Sequence, residues 1–129
     1  MLTRVEDARI REAEVTFQLH LSYSRLRCID SRVWALNQIT LLDLGHNSLT
    51  ALPAEVGHLM CLQELWVNHN PLLTALPPEI AACKQLVQLD ARATGIVKVR
   101  RQQVIRALFT AYLFFLAPIT FSSSTFACY

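Results

Sequence analysis

The chain is poor in glycine and in charge. Only three glycines occur in 129 residues, and charged residues make up 17%, against about 25% in an average globular protein. So few glycines leave little scope for a phosphate-cradling loop, and no GxGxxG, P-loop, GxSxG or HExxH motif is present. The four cysteines (Cys28, Cys61, Cys83, Cys128) contain no CxxC pair, so reduced thiols are expected. Met1–Glu14 holds seven charged residues and no apolar run, unlike a secretory signal. A net charge of +2 does not make a nucleic-acid surface. The shortage of charge is also uneven. All 22 charged residues lie within 1–106, and seven of the eleven aromatics fall in the uncharged stretch Ala107–Tyr129.

What is present is a repeat of long, regular period. Ile39, Leu42, Leu44, Asn47 and Leu49 set a template. Twenty-three residues on, the same slots hold Leu62, Leu65, Val67, Asn70 and Leu72. The same step back gives Thr16, Leu19, Leu21, Ser24 and Leu26; one step further on, lengthened by a single residue, gives Leu86, Leu89, Ala91, Thr94 and Ile96. The extra residue comes from the Leu72-Leu73 doublet after Asn70-Pro71. The second half also recurs. Leu52-Pro53-x-x-Val56-x-x-Leu59 is matched by Leu76-Pro77-x-x-Ile80 and, more loosely, by Ile29-Asp30-x-x-Val33-x-x-Leu36. Four units result: 16–38, 39–61, 62–85 and 86 to about 108.

The spacing has physical consequences. Leu42 and Leu44 are two apart and share one face of a short strand, as do Leu65 and Val67. Strands recurring at one place in every unit can pair as a parallel sheet. Asn47 and Asn70 carry the donors and acceptor to satisfy amides buried in the turn. Val56 and Leu59 fit a helical or 3₁₀ turn, and Pro53 and Pro77 end the preceding extended segment. One unit cannot close a core, but four stacked units can.

The pattern LxxLxLxxNxL, carried by 39–49 and with Val67 by 62–72, resembles the leucine-rich repeat family. The unit length and the LPxxIxxL second half look like its intracellular, Ras-group type. The resemblance covers roughly 16–96. It implies an α/β fold, a short leucine-rich-repeat solenoid of about four repeats, with parallel strands on the concave face and helical or 3₁₀ turns on the convex face. It also implies a non-catalytic adaptor or regulator that binds a protein partner, cytoplasmic, with no cofactor.

In such a solenoid the binding surface is built from the x positions. Same-slot residues form columns: His20, Asp43, Trp66, Asp90; and Tyr23, His46, His69, Ala93. The candidate partner-binding residues are His20, Tyr23, Asp43, His46, Glu64, Trp66, His69, Asp90 and Arg92. Aromatics give contact area at low entropy cost. Trp34, in the second half of its unit, is expected in the core or convex packing. His46 and His69 invite a metal hypothesis with Asp43, Glu64 or His20, but register alone stacks identical residues, so no metal is assigned. Ser22, His20 and Asp43 make only a formal triad on an open surface, and no catalytic residue is assigned.

The ends read separately. Thr3-Arg4-Val5-Glu6 forms a capping box opening a helix over about 3–14, so 1–15 is expected to cap the first repeat, ahead of the repeat domain at 16–96. Residues 97–129 combine a basic cluster (Lys98, Arg100, Arg101, Arg106) with the apolar tail. Three readings stay open for that tail. One is a membrane anchor through 104–121, although Ala107–Phe121 is 15 residues with Pro118 inside, short of the roughly 20 a spanning helix needs. The others are an apolar cap on repeat four and the aberrant end of a longer array.

Overall fold

A computed structural model describes residues 4–96. Helix α1 (Arg4–Thr16) leads into four short strands: β1 (Gln18–His20), β2 (Leu41–Asp43), β3 (Glu64–Trp66) and β4 (Gln88–Asp90). Between them run three 3₁₀ helices: η1 (Ser31–Ala35), η2 (Ala54–His58) and η3 (Pro78–Ala82). The strands make one parallel sheet in the order β1-β2-β3-β4. Leu19, Leu42, Leu65 and Leu89 are successive register partners, the same four residues that the repeat aligns in one slot. The chain is thus a short α/β solenoid, one turn per repeat.

The core follows from the same pattern. Leu19, Leu42, Leu65 and Leu89 are fully buried, as are Leu21, Leu44 and Val67 one strand step on. Each such side chain contributes about 1.5–3 kcal/mol by leaving water. The opposite wall comes from the 3₁₀ helices, which bury Val33, Val56 and Ile80. Each helix ends alike, with the cap N–H of Leu36, Leu59 or Cys83 bonded to the carbonyl of Val33, Val56 or Ile80. Cys83 therefore fills the slot of Leu59, a match hidden in the sequence by the change of residue type. Trp34 is 6% exposed and belongs to the core, as expected.

The asparagines tie one unit to the one before. Asn47 Oδ1 accepts from the N–H groups of Ser24 and Leu26, both at 3.0 Å. Its Nδ2 donates to the carbonyls of Leu21 and Leu44, both at 2.9 Å, and Gly45 at 3.1 Å. Asn70 repeats this one unit on, accepting from Leu49 N–H and donating to the carbonyls of Leu44, Val67 and Asn68. The degenerate units use short hydroxyl side chains instead. Ser24 Oγ donates to Ser22 O and accepts from Arg9, while Thr94 Oγ1 bonds Ala91 O and Ile96 N within its own turn.

Two details correct the sequence reading. The leucine that enters the core after Asn70 is Leu73, fully buried, whereas Leu72 is 58% exposed. Proline after Asn70 has fixed φ and no N–H, and the turn through Pro71 takes in one more residue before the chain turns inward. Leu73 N–H closes that turn on Asn70 O at 3.0 Å. The helix also runs to Thr16, past the expected end at 14, so Thr16 is an exposed helix terminus rather than a core slot. Its hydroxyl bonds Glu12 O at 3.1 Å, and Phe17, with φ 60°, ends the helix by donating its N–H to Ala13 O. Thr3, the first residue of the capping box, lies outside the described residues. The helix buries Ile10 and Ala13 against the core beside β1, and Arg32 joins Asp7 to η1 at 2.9 Å.

Candidate protein-binding face

Because Leu19, Leu42, Leu65 and Leu89 point inward, the residues flanking them point outward from the sheet. Register pairs His20 with Asp43, Asp43 with Trp66 and Trp66 with Asp90. A second column runs Gln18, Leu41, Glu64, Gln88. The expected first column is therefore present, with its members on neighbouring strands about 4.8 Å apart.

The two aspartates also shape the turns. Asp43 Oδ1 accepts from Gly45 N–H at 3.0 Å, and Asp90 Oδ1 from Arg92 N–H at 3.1 Å. Asp43 Oδ2 lies 3.7 Å from Nδ1 of the exposed His20, beyond a hydrogen bond. Asp90 is 8% exposed, and Arg92 grips both its oxygens at 3.0 and 2.7 Å. The group presented at that corner is the exposed Arg92 rather than the carboxylate. Glu64 is half-buried and makes no ion pair among the described residues. Trp66 is half-buried, and its Nε1 is buried without a hydrogen-bond partner. Asn68 Oδ1, two residues on, is in the same condition. Gly45 lies across from it: a Cβ there would meet Asn68 Oδ1 at 2.7 Å, so a side chain at this position would have to displace the Asn68 amide.

The other expected column forms a ladder of rings. Tyr23 and His46 stack with centroids 4.2 Å apart and planes 12° apart; His46 and His69 stack at 4.2 Å and 11°. All four column residues are left-handed: Tyr23, His46, His69 and Ala93 have φ of 57°, 53°, 54° and 55°. Backbone bonds hold three of them there. Tyr23 N–H donates to Gly45 O, His46 N–H to Asn68 O and His69 N–H to Arg92 O. Histidine tolerates this region better than most residues, and ring stacking recovers part of the cost.

Among the described residues the histidine pair and the formal triad are not gathered into a metal or catalytic site. Face-to-face rings point their in-plane nitrogens side by side, not toward one ion. Among the described residues no group of three or more His, Cys, Asp or Glu could hold a metal. Ser22, His20 and Asp43 are neighbours on the face, but no Ser22–His20 hydrogen bond joins them and His20–Asp43 is the 3.7 Å contact above.

The x positions of the repeat already put Phe17 and Val87 on this face, whereas the sequence reading missed two contributors from the helix, Arg9 and Glu12. Phe17 and Val87, 41% and 43% exposed, add apolar area at opposite ends of the face. Arg9 and Glu12 of α1 line a shallow depression with Thr16, Gln18, His20 and Ser22, so the helix extends the face beyond β1. Their spacing of three on the helix, facing the edge strand, was the available signal. The basic cluster after Ile96, the anchor reading of 104–121 and the other two readings of the tail lie outside the described residues. Among the described residues no helix is long and apolar enough to cross a membrane.

Comparison with known proteins agrees with this geometry. The Leucine Rich Repeat family model matches residues 61–83. Leucine-rich repeat protein 1 of Mus musculus is 45% identical over 60 residues, 46% of this chain and 14% of that protein. Adenylate cyclase of Schizosaccharomyces pombe is 30% identical over 81 residues, 63% of this chain and 5% of that protein. The chain thus spans less than a sixth of the length of these two relatives. A solved LRR protein of Leptospira interrogans superposes with a TM-score of 0.63 at 23% identity, covering 78% of this chain and 31% of that one.

Proposed function

Given that the chain is a leucine-rich repeat protein, we propose that it is a non-catalytic module binding a protein partner through the strand face of the solenoid. Repeats of this family are generally protein–protein interaction modules, also where, as the similarity to an adenylate cyclase illustrates, the relative is an enzyme. One observation carries the reading. Of the six large apolar side chains left exposed among the described residues, three, Phe17, Tyr23 and Val87, belong to the repeat slots that flank the strands, with the half-buried Trp66 on the sheet between them. Aromatic and apolar groups rimmed by polar ones are the anatomy of an interface. The role is that of an adaptor or regulator in the cytoplasm.

The test begins with a photo-crosslinking amino acid placed at Gln88 on the strand face and, as control, at Met60 on the 3₁₀ side. A partner captured from Gln88 alone is then purified and titrated against Trp66→Ala/Asp43→Ala. The double variant is expected to weaken binding at least about tenfold, roughly 1.4 kcal/mol. Unchanged affinity in the folded double variant moves the site off this face.

A further inference from the structure

Trp66 sits between two carboxylate positions, Asp43 on β2 and Asp90 on β4, with Glu64 two residues before it on the same strand face. The three acids differ in what they already hold. Asp90 is saturated by the Arg92 guanidinium. Asp43 spends Oδ1 on Gly45 N–H, and its Oδ2 has only a distant, exposed imidazole beside it. Glu64 has no cationic partner among the described residues. One side of the indole is therefore already built as a carboxylate–guanidinium pair. The other side repeats the carboxylate without the cation.

Charge across the face says the same. Within these two columns the charged residues besides His20 are Asp43, Glu64 and Asp90; the arginines on the adjoining turns and helix are Arg92, taken by Asp90, and Arg9 and Arg25 at the β1 end. A cation near an indole gains from the ring quadrupole, and more where adjacent carboxylates are part-buried. Asp43 has a side-chain exposure of 13%, so its field is less screened than that of a fully exposed acid.

From this geometry we infer that the partner presents a lysine or arginine, in an extended segment, whose cation seats beside Trp66 between Asp43 and Glu64. The inference rests on the strand face being the binding surface and names the chemistry that this surface reads. The apolar frame of Phe17 and Val87 then takes the segment's flanking side chains.

A peptide library tests it on the full chain. Decapeptides carry a fixed central residue (arginine, lysine, citrulline or glutamate) in an otherwise randomised sequence, and selected peptides are titrated by fluorescence anisotropy. Citrulline keeps the shape of arginine without its charge. Arginine- and lysine-centred peptides are expected to bind at least about tenfold tighter than their citrulline counterparts. That preference shrinks as salt rises. Asp43→Asn/Glu64→Gln is expected to abolish it. Asparagine keeps the acceptor for Gly45 N–H, so this variant retains its turn, which circular dichroism checks. If arginine and citrulline peptides bind equally, yet Trp66→Ala weakens both, the cation seat fails and the binding face stands. If binding ignores Trp66→Ala as well, the face itself is wrong. Selection of glutamate-centred peptides, or of none, also overturns the seat.

Discussion

His46 and His69 lie face to face, one repeat apart in sequence and 4.2 Å apart at their ring centroids. Both occupy the slot before the turn asparagine, and both are left-handed at φ 53° and 54°. The stack is a by-product of register, because the repeat places equal slots one strand apart. What the slot demands is the backbone twist, and the side chain is secondary.

That demand can be tested where no ring is at stake. Ala93 occupies the same slot in the last unit, is exposed, and has φ 55°. A left-handed alanine is strained by about 1–2 kcal/mol, and glycine removes that strain while losing roughly 0.5–1 kcal/mol in chain entropy. Ala93→Gly should therefore raise stability by up to about 1.5 kcal/mol, read as a higher urea midpoint at unchanged slope. His69→Val should lower the midpoint, because a β-branched residue is an outlier in this region.

The asparagines should behave in the opposite way. Asn70 is fully buried and holds one N–H and three carbonyls with its amide. Each buried group left without a partner costs about 1–3 kcal/mol. Asn70→Ala should destabilise the chain by at least about 3 kcal/mol, a large share of a typical domain's roughly 5–15 kcal/mol. Thr94→Ala should lose far less, since its two bonds stay within one half-buried turn. Paired urea unfolding curves make the comparison.

Much of this was legible in the sequence, for a physical reason. A constant repeat period imposes register, and register alone fixes which residues share a column. Leu19 with Leu42, and Asp43 with Trp66, follow without knowledge of any side-chain rotamer. Where a unit departs from the period, the pattern loses its hold. The shift from Leu72 to Leu73 turned on an extra residue next to a proline, which a template cannot place. The Asp90–Arg92 grip was also illegible, since it depends on how a side chain folds back over two residues. The same departure makes Gly95 indispensable: a Cβ there would lie 2.7 Å from Pro71 O, the backbone of the shifted turn.

Thiol chemistry separates three cysteines. Cys28 is exposed, Cys61 is half-buried, and Cys83 is buried with Sγ 3.3 Å from Val56 O. Burial pushes the Cys83 thiol up to about 11, because the thiolate is costly away from water. Brief iodoacetamide treatment at pH 8 should alkylate Cys28 first and leave Cys83 unmodified until the chain unfolds. Peptide mass spectrometry reads the order. The sign with pH follows: a native thiol raised above its unfolded value of 9.0 favours the fold less as pH climbs past that value, where the unfolded chain ionises first.

Acid should act through η1. Asp30 caps this helix, and its carboxyl is held below its ordinary value chiefly by the backbone N–H of Arg32 at 2.9 Å. The Arg32 side chain at 3.1 Å helps, against an opposing effect of burial. A depressed acid stabilises the fold in its charged form. Its contribution is complete above the unfolded value of 3.8 and is lost as pH falls through the lower folded value. Because Asp30 is only half-buried and its partner Arg32 is exposed, the effect is small and partly screened by salt. Asp30→Asn keeps an acceptor for Arg32 N–H and removes the titration. Wild type should therefore lose more stability than Asp30→Asn between pH 5 and pH 2, followed as urea midpoints by circular dichroism. Equal losses in both chains would place acid sensitivity elsewhere.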